Sequence, residues 1–90
     1  KADVTKGSGD AGIDIILEKD GEKYCVQCKA HKKPVGPAIV RELYGAMHSA
    51  GIRQGILVCL GGFTSGVYDF VKDKPIKLVD IDDVIKMVNE

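Results

Sequence analysis

Asp20-Gly21 lies between two runs of β-forming residues, Ile13 to Lys19 and Tyr24 to Ala30, and constrains the fold more than any other feature. A two-residue primed turn needs positive φ at its central positions, and Asp-Gly supplies it. With the turn there, Lys19 faces Glu22, and counting back sets Asp14 opposite Gln27. Opposed residues of an antiparallel pair share a face of the sheet, as do residues two apart on one strand. Asp14, Gln27 and Lys29 are therefore expected on one face. A turn longer or shorter by one residue would undo this, because the partner parity flips.

The flanking segments set the architecture around that hairpin. Val4-Thr5 suits a short edge strand, and the glycines between Lys6 and Gly12 make a loop. The apolar run Ile15-Ile16-Leu17 suggests a strand covered on both faces. After the basic loop His31-Lys32-Lys33, Pro37 suits the first turn of a helix, and Gly51 suits its end. Val40, Leu43, Tyr44 and Met47 follow helical spacing between them. Ile56 to Leu60 is wholly apolar, as a strand buried on both faces would be. Thr64 or Ser65 can cap a helix carrying Val67, Phe70 and Val71, which Pro75 stops. Ile76 to Val79 is a short strand. Asp80 to Asp83 then opens a last helix with the apolar stripe Ile81, Val84, Ile85 and Val88. The order is hairpin, helix, strand, helix, strand, helix. An α/β domain with a mixed central sheet flanked by helices is the simplest solution.

Ninety residues make a single small domain, residues 1–90. With 44% hydrophobic and 29% charged residues, disorder is excluded. The formal net charge is zero, so a case for nucleic acid has to come from local clustering. No apolar run approaches membrane-spanning length and no signal-peptide pattern opens the chain, so no membrane partner is expected. The chain begins at Lys1, close to a glycine-rich loop, which suggests a domain excised from a longer protein with further domains. Three cysteines suit a reducing compartment such as the cytoplasm. Cys25 and Cys28 form a C-x-x-C, but on a strand positions three apart point to opposite faces, so they do not chelate one metal together. His48 and Glu42 fall off the apolar helix stripe and are assigned to the surface.

The polar face of the hairpin has a chemistry. Hard divalent cations take oxygen ligands, and Mg²⁺ typically uses one or two protein groups, waters and a substrate phosphate. Asp14 offers a carboxylate, Gln27 an amide oxygen, and Cys28 a main-chain carbonyl between the polar pair. Lys29 can hold an attacking water and offset phosphate charge. The same spacing also fits a turn aspartate and a solvated edge lysine, and spacing alone does not choose. Lys23, His31, Lys32 and Lys33 are basic groups near or just after this face, suited to phosphates or to a solvated loop. Thr64, Ser65 and the amides after Gly61-Gly62 fit a phosphate at a helix N-terminus or an ordinary capping turn.

The stretches GSGDAGIDII, YCVQCK, VRELYGA, GILV with GGFTSG, and IKLVD follow one another over nearly the whole chain. In that order they resemble the Mrr-like restriction endonuclease domain of the PD-(D/E)xK nuclease superfamily. The resemblance implies an α-β-β-β-α-β core, with Val4 in its first strand and the family's first helix missing here. It implies Asp14 as the metal-binding aspartate and Lys29 as the catalytic lysine. Gln27 stands where the superfamily usually has an acid, and Asp10 matches the motif's supporting aspartate. The implied cofactor is Mg²⁺, for which Mn²⁺ can substitute; the implied partner is DNA, and the implied setting is DNA restriction-modification.

Two classes of function follow. One is a Mg²⁺-dependent DNA endonuclease using Asp14, Gln27 and Lys29, with a homodimeric, junction-cleaving nuclease as a variant. The other is a DNA-binding module that kept the fold but not the activity, motivated by the neutral Gln27 and the missing helix.

Overall fold

Asp20 and Gly21 take φ values of 54° and 82°, the left-handed pair a primed hairpin turn requires. Aspartate tolerates that region because its short carboxylate bonds locally, and glycine has no Cβ to clash. The computed structural model describes residues 2–6 and 15–89. In it the turn joins β2, Ile15–Lys19, to β3, Glu22–Lys29. Their ladder runs from Lys19 opposite Glu22 to Ile15 opposite Val26, the register the turn predicts. Asp14 and Asp10 lie outside the described residues.

β1, Ala2–Lys6, pairs antiparallel with β2 as the expected edge strand. On the other side β4, Gln54–Cys59, runs parallel to β3, and β5, Ile76–Val79, runs parallel to β4. The five strands lie in sequence order in one mixed sheet. Parallel neighbours need long crossovers. Helix α1, Pro37–Ala50, supplies the first and α2, Ser65–Val71, the second; α3, Ile81–Asn89, follows β5.

Each helix boundary has a local cause. Pro37 opens α1 behind Gly36, and Gly51 closes it at φ 68°. There the amides of Gly51 and Ile52 donate to the carbonyls of His48 and Met47, a Schellman pair that satisfies two orphan acceptors. α3 begins with a reciprocal box. The Asp80 amide donates to Asp83 Oδ2 and the Asp83 amide to Asp80 Oδ1, each at 3.0 Å.

α1 packs Val40, Leu43, Ala46 and Met47 onto the sheet. It lies so close that a Cβ on Gly55 would stand 2.5 Å from Met47 Sδ. The face beneath it carries Cys25, Gln27, Leu57, Cys59 and Ile76, all buried. Val67 of α2 completes this core.

Three expectations about burial are corrected. Ile15, Ile16 and Leu17 are half-buried rather than covered on both faces. In β4, Gly55, Leu57 and Cys59 are buried, Ile56 and Val58 are half-buried, and Leu60 beyond the strand is exposed. In α3, no residue is buried, and Ile85 and Val88 remain 50% and 76% exposed. The cause is the same throughout. α1 covers one face and α2 packs on α1, whereas α3 touches β5 and covers little else among the described residues.

Candidate active site

The alternation of β3 sorts its side chains. Cys25, Gln27 and Lys29 point to the α1 side, while Tyr24, Val26 and Cys28 point to the other. Gln27 is 2% exposed and stands beside Leu57 in the parallel ladder; half-buried Lys29 stands beside Cys59. Two strand residues apart, the pair is separated by about 6–7 Å along the chain. Gln27 Oε1 is buried and accepts no hydrogen bond among the described residues. An orphaned buried acceptor costs about 1–3 kcal/mol unless something else satisfies it. This is a buried neutral oxygen donor two strand positions from a lysine on the same face, and it fits a hard cation.

The two C-x-x-C thiols are separated as their spacing requires. Cys25 is fully buried and Cys28 exposed, on opposite faces. Burial pushes the Cys25 thiol up from its ordinary value, so it stays protonated and unreactive. Among the described residues, no three His, Cys, Asp or Glu side chains gather as a metal set. The expected charged ligand, Asp14, lies outside those residues, as does its supporter Asp10.

Beyond β3 the chain is tied to the end of β4. The Leu60 amide donates to the Lys29 carbonyl at 3.4 Å, the Val35 amide to Gly62 at 3.1 Å, and the Thr64 amide to Val35 at 3.0 Å. Val35 and Phe63 form an isolated parallel bridge, and Val35 is buried. His31, Lys32 and Lys33 are exposed on the excursion between these ties, and Thr64 and Ser65 are exposed beside its return. The basic loop and the α2 turn thus share the end of the sheet at which Lys29 sits. Sequence reasoning saw both segments but not their junction. The available signal was the Gly61-Gly62 pair, which reads as a turn unless its neighbour is known.

Two expectations about side chains need correction, the position of Lys23 and the capping role of Thr64. Lys23 lies at the hairpin end of β3, six residues or about 20 Å from Lys29, and does not join this cluster. Thr64 holds the N-cap position of α2 with extended backbone, but its side chain makes no capping bond. Glu42 and His48 are on the surface, as expected, with His48 edge-on to Tyr44 at 4.6 Å. A cavity of about 380 Å³ lies at the other end of α1, between Tyr44, His48, Ile52 and Pro75. It is lined by neither Gln27 nor Lys29.

A mixed sheet with α1 on one face, and Gln27 and Lys29 at the end of its third strand, is the arrangement expected of a restriction-endonuclease-like domain. The chain belongs to the Mrr_cat restriction endonuclease family, which it matches over residues 1–88. It is 35% identical over 88 residues to the type IV methyl-directed restriction enzyme EcoKMrr of Escherichia coli, across 93% of this chain. It is 40% identical over 67 residues, 66% of this chain, to the uncharacterized mitochondrial protein C824.03c of Schizosaccharomyces pombe. The chain spans only 29% and 27% of the lengths of these two relatives. Among solved structures, the DNA modification-dependent restriction endonuclease AspBHI superposes with a TM-score of 0.74 at 20% identity, over 98% of this chain and 25% of that one. The protein AF1548, of unknown function, superposes with 0.69 at 23% identity, over 86% of this chain and 49% of that one. At such identities both establish the fold alone. No helix among the described residues is long and apolar enough to cross a membrane.

Proposed function

We propose that this chain is the nuclease domain of a DNA-cleaving enzyme that hydrolyses phosphodiester bonds with Mg²⁺, for which Mn²⁺ can substitute. The observation that carries the reading is the buried Oε1 of Gln27, without a partner among the described residues, on the same sheet face as Lys29. The hairpin register, extended by one residue, would bring the Asp14 carboxylate opposite Gln27. Asp14, Gln27 and the Cys28 main-chain carbonyl are the oxygen donors we assign to the cation, with Asp10 supporting the loop. When bound, the ion would supply Lewis-acid neutralisation of charge developing on the phosphate. Lys29 holds the attacking water in line and adds its own charge to that neutralisation. Lys32, Lys33, Thr64 and Ser65 contact neighbouring phosphates and set the strand's position, without reading bases. The working enzyme acts on DNA in a reducing compartment such as the cytoplasm, in restriction, as a homodimer and with further domains that choose the substrate.

The neutral Gln27 favours a second reading, a DNA-binding domain whose metal site stays empty, because an amide binds Mg²⁺ less strongly than a carboxylate. One experiment separates them. The full-length protein is given Mg²⁺ and methylated, unmethylated or branched DNA, with calorimetric titration of the metal alongside. Cleavage is expected, and Lys29→Ala should reduce it by at least ~10²-fold while leaving the melting temperature unchanged. Undiminished cleavage by Lys29→Ala would remove the assignment. Salt-sensitive DNA binding without metal uptake or cleavage would establish the second reading.

A further inference from the structure

Among the described glycines, Gly61 is the one whose closest approach is to main chain. A Cβ built there would stand 2.5 Å from the Lys33 carbonyl oxygen, 2.6 Å from that of His31 and 2.6 Å from the Lys32 carbonyl carbon. These are main-chain atoms, so they cannot swing aside as the end of a side chain would. Gly55 and Gly66, the other close approaches, meet the flexible Met47 thioether and the Pro37 ring.

Gly61 lies inside a closed loop. The parallel pairing of β3 and β4 continues one step past the strands, where the Leu60 amide meets the Lys29 carbonyl. It resumes at the Val35–Phe63 bridge. Between these ties the β3 side spends five residues, 30–34, and the β4 side only 61 and 62. The longer segment has to arch outward, with Gly61 beneath the arch. Val35 is held from both sides, by its amide to Gly62 and its carbonyl from Thr64. An arch pinned at both ends and resting on a bare Cα has a fixed height above the sheet end. That height sets where Lys32 and Lys33 stand relative to Lys29.

We propose that Gly61 is a positioning residue for DNA: by admitting the main chain of His31–Lys33 to its Cα, it fixes Lys32 and Lys33 in register with Lys29, so that adjacent phosphates are engaged together. The inference rests on the nuclease reading above. Gly61 touches no substrate and acts only through the arch.

The test is DNA affinity of the full-length protein as a function of salt. Each ammonium that no longer neutralises a phosphate flattens the dependence of log K on log salt by ~0.9 for duplex DNA. Gly61→Ala is expected to weaken binding about 10-fold, to flatten the slope by the share of one to two phosphates, and to change turnover at saturating DNA far less than KM. Added to Lys32→Ala and Lys33→Ala, it should weaken binding no further, because all three act through one arch. Simple destabilisation would leave the folded fraction with the full slope, so the slope separates positioning from folding. Gly45→Ala, where nothing lies within 4 Å, controls for glycine replacement as such.

If Gly61→Ala does not fold, Thr64→Pro serves instead. The φ of −75° at Thr64 suits proline, and of the main-chain bonds the change deletes the one that ties Val35, along with the hydroxyl. Thr64→Val, which keeps that amide, accounts for the hydroxyl. A wild-type slope in Gly61→Ala, or in Thr64→Pro once the effect of Thr64→Val is subtracted, overturns the role of Gly61 and leaves the nuclease reading intact. So does an additive weakening with the lysine variants. Failure of the wild-type protein to bind DNA overturns both together.

Discussion

The two faces of the sheet carry alternate residues of the same strands, yet they have different fates. On the α1 side, Cys25, Leu57 and Cys59 are completely buried. On the other, Tyr24, Val26, Ile56 and Val58 are half-buried and Cys28 is exposed, with Val79 of β5, the strand α3 touches, buried. The intrinsic strand-forming character is similar on both, so the difference is made by the covering layer. The supported face is also the one that holds Gln27 and Lys29. The pair proposed as catalytic needs side chains locked by packing, which this face offers. The difference should be visible in stability. Leu57→Ala on the supported face should cost about 2–5 kcal/mol, because its cavity is lined on all sides. Ile56→Ala, one residue away on the open face, should cost less than half as much, since its surroundings can collapse or admit water. Denaturant unfolding of both variants measures the asymmetry, and equal losses would erase it.

Within the supported face, Gln27 is the exception that sharpens the comparison. Leu57 and Gln27 are neighbours across the β3–β4 ladder and both are buried, but only Leu57 is apolar. A buried amide with an unpartnered oxygen is a local penalty that an apolar residue of similar length avoids. Gln27→Met should therefore leave stability unchanged or raise it by up to about 1 kcal/mol, at a position where truncation of its neighbour is severe. The same variant should lose metal uptake in a calorimetric titration. A loss of several kcal/mol would instead mean that the amide is a structural bond donor, and the case for a ligand oxygen would weaken.

Features settled by near neighbours in the chain could be read from the sequence. The Asp20-Gly21 turn fixes the register from Lys19–Glu22 to Ile15–Val26 because both φ angles are dictated by the turn pair itself. Pro37 and Gly51 bound α1 for the same kind of reason. Sidedness was not legible, because an apolar strand such as Ile56 to Leu60 does not say which helices will cover it. Nor was the junction of the basic loop with Gly61, which depends on two segments about 30 residues apart meeting at main-chain distance. Lys23 was misplaced because closeness in sequence along an extended strand is distance in space. Of the proposed site, Gln27 and Lys29 are on the supported face as the alternation required, while Asp14 rests on extending a register whose last described pair is Ile15–Val26.

α3 is the limiting case of the open side. Its start is well built, with Asp80 and Asp83 exchanging main-chain hydrogen bonds, so the helix is encoded locally and does not depend on burial for its boundary. Its apolar stripe has the right period, yet Ile81, Ile85 and Val88 are 42%, 50% and 76% exposed. A side chain that gains little shelter on folding contributes little when removed, because the transfer term scales with area taken from water. Ile85→Ser should therefore change the unfolding free energy of this 90-residue chain by no more than about 0.5 kcal/mol, a typical surface effect. In the full-length protein the same change is informative in the other direction. A drop there of more than about 1.5 kcal/mol, with none in the isolated chain, would show that the stripe is covered by residues beyond these ninety. Equal, small effects in both would leave the open side open, and the asymmetry of the sheet would be a property of the whole molecule.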